Sequence, residues 1–442
     1  MTLSYVYLGA AVVAVLFGVN AHRPIYRPAT LSVLSFFAGW LTSELALYHL
    51  LFQAGGALVF IGLGALSAWP GWVASALVLA SMALLVASQR QAVRAGEIVE
   101  SALARDLGPD FGESVAIEVS PRKNPIFSMT LPLVVRPRDI ERIRDIVYTS
   151  GPNYRMKLDL YHRPVEGTDQ PRRPVVLEIH GGAWILGSKN EQGLPLLYHL
   201  AKKGYVCISV DYRLSPRATF PDPLVDIKRA IAWVRDNADR YGMDPDFIVL
   251  TGGSAGGHLS SLAALTANDP EYQPGFEGVD TSVAGCIPFY GVYDFTDRHG
   301  HYRNGGLIDL VERHVIKRPL AEARAEFDRA SPLSRAHADA PPFFILHGDR
   351  DTLAPVEDAR AFADALRRAG AKRVAFAELA GAQHAFEIFH SVRTEAVIAA
   401  VEKFLTWLRK EHAAKSAGAQ PVASEDFGSE VEPAAASLKQ AS

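Results

Sequence analysis

Charge is nearly absent from the first fifth of this sequence. Residues 1–88 carry only Arg23, Arg27 and Glu44, while the 442-residue chain as a whole has 45 Lys and Arg and 48 Asp and Glu. A segment so poor in charge presents no solvated surface, whereas the remainder has the charge density of an ordinary soluble domain. The chain therefore divides in two. Cysteine is scarce as well: Cys207 and Cys286 each lie in an apolar run, where a thiol behaves as a small buried hydrophobe. That excludes a disulfide framework and a cysteine-based metal site. Nor is there an excess of positive charge, the net being −3 at pH 7, so no long-range field gathers nucleic acid or acidic ligands.

Three long apolar runs fill the charge-poor part, at residues 3–20, 31–52 and 56–88. About 20 apolar residues cross the hydrocarbon core of a bilayer, so the first two suffice as spans. The third would reach roughly 50 Å as one helix. It carries Trp69-Pro70-Gly71-Trp72 near its middle, where a kink, an exit from the membrane or a split into two short spans is expected. Lys and Arg near span ends stay on the cytoplasmic side. Arg23 and Arg27 follow the first run, and Arg90 and Arg94 the last. Three spans place both pairs on one side; four would separate them. The expectation is about three spans, an outside N-terminus and a cytoplasmic C-terminal domain. A cleaved signal peptide is not expected, because residues 1–7 contain no Lys or Arg. Glu44 and His49 are expected near the outer end of the second span, reaching the interface.

Residues 89–144 combine a helical stretch at 97–107 with Pro-rich and charged segments, and form either a linker or an N-terminal cap. The few basic residues at 97–107 argue only weakly for a helix lying along the membrane. From residue 145 short β-rich runs alternate with amphipathic helices, which predicts an α/β domain over 145–412 with a mostly parallel sheet covered on both faces. The expected strands are 146–149, 157–161, 175–179, 206–210, 247–251, 284–289, 343–346 and 374–378, the first two a hairpin across Gly151-Pro152-Asn153. The expected helices are 193–203, 222–241, 255–268, 356–369 and 393–409. The insertion at 294–331 is longer than a crossover needs and is expected to cap whatever site lies below. Residues 413–442, rich in Ala, Ser, Glu and Pro, are expected to be disordered.

Within this domain one strand runs into Gly252-Gly253-Ser254-Ala255-Gly256-Gly257-His258 and out into a helix. That is the context a nucleophile elbow requires: glycines let the chain turn sharply, so that the serine hydroxyl stands at the C-terminal edge of the sheet. Alone, G-x-S-x-G is equally a phosphate-binding turn. Upstream, however, an apolar strand ends in His180-Gly181-Gly182-Ala183-Trp184, whose small residues let backbone amides approach an oxyanion. The expected donors are the N–H groups of Gly182, Ala183 and Ala255; His180 is expected to hold the loop. Downstream come His347-Gly348-Asp349-Arg350-Asp351 and Gly381-Ala382-Gln383-His384. Ser254, an Asp near 350 and His384 follow the order Ser, Asp, His, each at the end of an expected strand. Asp351 is preferred as the acid, since Asp349 sits in the turn itself. Asp211-Tyr212-Arg213 is expected to be a strand-end ion pair, and Asp297-Arg298-His299-Gly300-His301 a loop rather than a metal site.

These strings, with Asp211-Tyr212-Arg213-Leu214-Ser215-Pro216, resemble the motifs of α/β-hydrolase carboxylesterases related to the hormone-sensitive lipase group, and of membrane-associated lipase/esterase relatives in actinobacteria. The likeness covers about residues 145–410. It implies Ser254 as nucleophile, His384 as base, Asp351 as acid and an oxyanion loop at Gly181, Gly182 and Ala183. Two positions depart from it: Ala183 stands where many relatives have a third Gly, and Gly253 where many have Asp.

The sequence thus predicts a membrane-anchored serine hydrolase of apolar or lipid esters, working through an acyl-enzyme with no metal or organic cofactor. Two rivals remain: an amidase, aryl formamidase or peptidase with the same triad, and a non-catalytic hydrolase-like binding protein at the membrane.

Overall fold

The computed structural model describes residues 1–108, 111, 136–164, 171–302 and 305–418. The charge-poor segment forms α1 (Thr2–His22), α2 (Ala29–Glu44), α3 (Ala46–Gly62) and α4 (Trp69–Val93). Pro70 lies in the first turn of α4, where its missing N–H has no helical partner to lose. The Trp-Pro-Gly-Trp sequence therefore starts a helix, and the third apolar run divides ahead of it, around the short 3₁₀ turn Ala65–Ser67. α2 and α3 meet at 84° across Leu45.

α1 and α4 pack side by side and parallel. Ser4 Oγ donates to the Ala65 carbonyl at 2.8 Å, Ser81 Oγ to Ala14 at 3.0 Å, and His22 Nε2 lies 2.9 Å from the Leu84 carbonyl. The bent α2–α3 pair must then carry the chain back along their length. Two helices, Thr2–His22 and the one beginning at Trp69, are long and apolar enough to cross a membrane, or up to three segments if the bent pair counts as one span.

Residues that looked peripheral belong to the core. α5 (Ala95–Leu107) does not lie free at a membrane surface: Val99 and Leu103 are fully buried, and Asp106 accepts the Phe376 N–H at 3.0 Å. Its apolar face is matched to the α/β domain. The rest of the 89–144 segment, at 109–110 and 112–135, lies outside the described residues. Glu44 is not at an interface either. Its carboxylate pairs with Arg393, neither side chain retaining solvent exposure, and accepts Ser391 Oγ at 2.8 Å. The pairing partner lies 349 residues away in sequence, which is why the local apolar pattern did not show it.

The sheet has eight strands: β1 (Glu141–Gly151), β2 (Tyr154–His162), β3 (Arg173–Ile179), β4 (Val206–Val210), β5 (Met243–Gly253), β6 (Gly285–Phe289), β7 (Phe343–Gly348) and β8 (Val374–Leu379). Their order is β1-β2-β4-β3-β5-β6-β7-β8, with β2 antiparallel to β1 and β4 and the remaining pairs parallel. Both faces are covered, so the inner strands are predominantly apolar. Val175, Leu177 and Ile179 enter one core with the helices Asp222–Asp236 and Ala255–Leu265. Val176, Cys207, Val249 and Phe344 enter the other, with α5 and the C-terminal helix Val392–Gly418.

Two expected boundaries shift. The helix at 222–241 is broken at Asn237 into Asp222–Asp236 and Ala238–Tyr241. The C-terminal helix runs to Gly418, past the expected start of the tail at 413; residues 419–442 lie outside the described residues. The insertion after β6 contains the helices Gly306–Leu310 and Leu320–Arg329 joined by a π-helical turn, Val311–Val315.

Candidate active site

β5 ends at Gly253 and hands over to Ser254, whose backbone sits at φ 59°, ψ −120° before the helix Ala255–Leu265 begins. A non-glycine residue pays steric strain in that region, and it persists only where surroundings fix it. Here the Ser254 N–H donates to the Phe289 carbonyl at 3.0 Å, and the Ser254 carbonyl accepts from His258 at 3.0 Å. The side chain is partly exposed. Gly253 has a specific reason to differ from the Asp of many relatives: a Cβ there would lie 2.5 Å from the Tyr290 hydroxyl oxygen.

The loop after β3 is held in an unusual conformation, with Gly182 at φ 112°, Ala183 at 52° and Trp184 at 62°. At Gly182 a Cβ would fall 2.0 Å from the Leu186 carbonyl, so only glycine fits. The Gly181 N–H donates to Gln192 Oε1 at 2.6 Å, so Gly181 is not a free oxyanion donor. No hydrogen bond engages the amides of Gly182, Ala183 and Ala255 among the described residues. His180 supports the loop as expected: its Nδ1 lies 2.7 Å from the Gly181 carbonyl and its ring stacks on Tyr212 at 4.4 Å. The loop is also tied to the elbow helix, because Trp184 Nε1 donates to His258 Nδ1 at 3.1 Å. His258 Nε2 in turn donates to the Ala330 carbonyl at 2.7 Å, which fixes a neutral tautomer; burial pushes this imidazole down to about 4.

His384 Nδ1 lies 2.6 Å from Asp351 Oδ2. The other oxygen of Asp351 accepts the Leu353 and Ala354 N–H groups, each at 2.8 Å. Burial alone would raise this carboxyl, but the charge of His384 and hydrogen bonds from His347 and His384 outweigh it and hold Asp351 well below the usual carboxylate range. Asp349 has a different task, accepting the Gly381 N–H at 2.7 Å. Gln383, which sequence reasoning passed over, ties the two loops together: its Oε1 accepts from Thr352 at 2.8 Å and from His384 at 3.0 Å. No hydrogen bond joins Ser254 Oγ to His384 among the described residues. Tyr290 reaches from one loop to the other, with its hydroxyl against Gly253, the residue before Ser254, and its ring 4.4 Å from the His384 ring.

Asp211 and Arg213 are structural. Asp211 accepts the Lys189 N–H at 2.8 Å, and Arg213 pairs with buried Asp226 at 2.8 Å. In the insertion, Asp297 Oδ1 accepts the His301 N–H at 2.7 Å.

Two further features had no sequence signal. The N-terminal helices reach the site: Phe36 of α2 meets the His384 ring edge-on at 5.9 Å, and Trp40 Nε1 donates to the Ala385 carbonyl at 2.8 Å. Beneath His384, Tyr290 donates its hydroxyl to Glu387. Burial pushes Glu387 from its ordinary 4.5 up to about 7, although the Tyr290 bond draws it back. Such a carboxyl keeps its proton in the native state after the unfolded chain has lost it, so stability falls as pH rises through that window. Glu387→Gln is expected to remove this residue's share of the decline, leaving that of Asp358, which burial also pushes up to about 7. In unfolding measurements the variant should gain on the wild type by on the order of 2–3 kcal/mol between about pH 4.5 and pH 7.

With this geometry in view, the relatives are informative. The BD-FAE family model matches residues 158–366. The chain is 41% identical over 427 residues to the probable carboxylic ester hydrolase LipM of Mycobacterium tuberculosis, covering 94% of this chain and 96% of LipM. It is 40% identical over 368 residues to esterase LipQ of the same organism, covering 79% and 86%. Among solved structures, the thermophilic esterase Est2 of Thermogutta terrifontis is 28% identical, with a TM-score of 0.50 over 65% of this chain and 95% of Est2. The chain belongs to the hormone-sensitive-lipase-like α/β-hydrolase family of carboxylic ester hydrolases that includes LipM and LipQ.

Proposed function

We propose that the protein is a membrane-anchored serine esterase in which Ser254, His384 and Asp351 form the catalytic triad. The observation that carries this is the buried His384–Asp351 pair, 2.6 Å apart, which Tyr290 links to Gly253, the residue before a serine on a strained elbow. Ser254 Oγ attacks the ester carbonyl while its proton passes to His384 Nε2. The carbonyl electrons move onto oxygen, where the Gly182, Ala183 and Ala255 amides would receive the charge. Collapse breaks the ester C–O bond, and His384 returns the proton to the departing alkoxide. Water then repeats the sequence on the acyl-enzyme and frees the acid. Every atom and proton is accounted for by serine, histidine, ester and water.

The anchoring has its own support. Apart from Leu186, every exposed large hydrophobic side chain among the described residues falls between residues 1 and 93, a patch far beyond what a soluble surface carries. The parallel α1 and α4 also bring Arg23, Arg27, Arg90 and Arg94 to the end that faces the α/β domain, since Arg350 donates to the Ala21 carbonyl at 2.7 Å and Gln91 lies against Gly381. Three crossings and a cytoplasmic catalytic domain fit that placement. The substrate proposed is an ester with an apolar group drawn from the bilayer.

A fluorophosphonate probe and a chain-length series of p-nitrophenyl esters test the reading on the purified full-length protein. Covalent labelling mapped to Ser254, with turnover of the esters, is the expected result. Labelling without ester turnover would move the assignment to the amidase branch. An intact fold that neither labels nor turns over would end the enzyme reading.

A further inference from the structure

We propose that α2 forms the wall of the substrate site on the leaving-group side, and that Phe36 selects the alcohol portion of the ester. The inference rests on the serine-esterase reading above and extends it to one half of the substrate.

The starting point is chemical. The proton that His384 takes from Ser254 must be delivered to the leaving oxygen. The alcohol portion therefore lies against the imidazole, while the acyl portion stays bonded to Ser254 and extends elsewhere. A side chain that bounds the imidazole bounds the alcohol. Two rings do so here: Tyr290 at 4.4 Å, held by Glu387, and Phe36 at 5.9 Å, perpendicular to the imidazole.

Phe36 is held there by a stripe of contacts. Ser32, Phe36, Trp40 and Glu44 recur every fourth residue, which puts them on one face of the helix. The Ser32 carbonyl accepts Thr352 Oγ1 at 3.0 Å, beside the acid of the triad. Trp40 donates to Ala385 and stacks on Phe389 at 5.0 Å. Glu44 closes the stripe on Arg393 and Ser391. Every contact falls on the loops that present Asp351 and His384, or just after them. The other face of α2 is different: Leu34, Phe37 and Leu41 are exposed large hydrophobics. One helix thus touches the catalytic histidine on one side and offers an apolar surface on the other. The alcohol this wall accommodates is a long apolar one, presented from the lipid side of α2.

The test separates the two halves of the ester. Purified full-length protein, with Phe36→Ala and the better-packed Phe36→Leu, is assayed on butyrate esters of alcohols from ethanol to octanol. The same proteins are assayed on p-nitrophenyl esters of acids from acetate to octanoate. Both variants should shift the octyl-to-ethyl kcat/KM ratio about tenfold, while the acyl-chain profile moves by less than about twofold. Fluorophosphonate labelling of Ser254 reports that the site remains assembled, and if the Ala variant unfolds the Leu variant carries the comparison. A shift confined to the acyl series, or labelled variants with both profiles unchanged, would overturn the assignment of α2 to the alcohol side. A wild type that neither labels at Ser254 nor turns over any ester removes the serine-esterase reading itself.

Discussion

Ser254→Ala is expected to lower kcat on p-nitrophenyl butyrate by about 10⁵- to 10⁶-fold, because the members of a triad act as a unit and the nucleophile has no substitute. Stability should change by no more than about 1 kcal/mol, since the hydroxyl makes no hydrogen bond among the described residues. Asp351→Asn gives a more discriminating result. One oxygen of Asp351 accepts two backbone amides, from Leu353 and Ala354, at 2.8 Å each. An asparagine must keep its carbonyl oxygen there, which turns its NH₂ group toward His384 Nδ1. A donor facing Nδ1 forces the proton onto Nε2, and the imidazole can then no longer accept from Ser254. A loss of about 10⁴-fold in kcat follows. Asp349→Asn should cost only a few-fold at most, because its oxygen can still accept the Gly381 N–H. The three variants, assayed together by stopped reaction and by fluorophosphonate labelling, decide between the two acids directly.

That contrast shows how far the sequence could be read. Turn chemistry and strand spacing put Ser254, Asp351 and His384 at the ends of β5, β7 and β8, because each motif is a local string whose backbone demands are visible in its own residues. Seven of the eight expected strands lie within observed ones, and the eighth, 284–289, starts one residue ahead of Gly285–Phe289, for a similar reason: inner strands of a covered sheet are predominantly apolar. What stayed hidden depends on partners far away. The apolar face of α5 was legible as a helix, but not as a cover for β8. Phe36 and Trp40 read as ordinary residues of a span, although they contact Tyr290's neighbour His384 and Ala385 from nearly 350 residues upstream. Periodicity tells which face of a helix is buried and is silent on what it faces. Gln383, Tyr290 and Glu387 escaped because their role is to hold other side chains, and such a role leaves no spacing of its own.

Breaking the Glu44–Arg393 pair should produce the largest stability change of any single substitution in the contact between α2 and the α/β domain. Both side chains are without solvent exposure, so removing one leaves the other as an uncompensated buried charge, at a cost of about 3–5 kcal/mol. Burial already pushes the Arg393 guanidinium down to about 9, and its Nε has no hydrogen-bond partner among the described residues. Glu44→Ala would leave that cation with little beyond the Ala380 carbonyl, 3.3 Å from Nη2. The thermal midpoint in detergent should fall accordingly, and catalytic turnover should fall with it, since Arg393 follows directly on the loop that carries His384 and α2 holds that loop from outside. The double variant Glu44→Leu/Arg393→Met replaces the ions by apolar groups of similar reach and should recover most of the lost stability. Recovery of stability with ester turnover would show that the pair matters as a filled, neutral contact. Stability regained without turnover would show that the ion pair itself sets where α2, and with it Phe36, stands against His384.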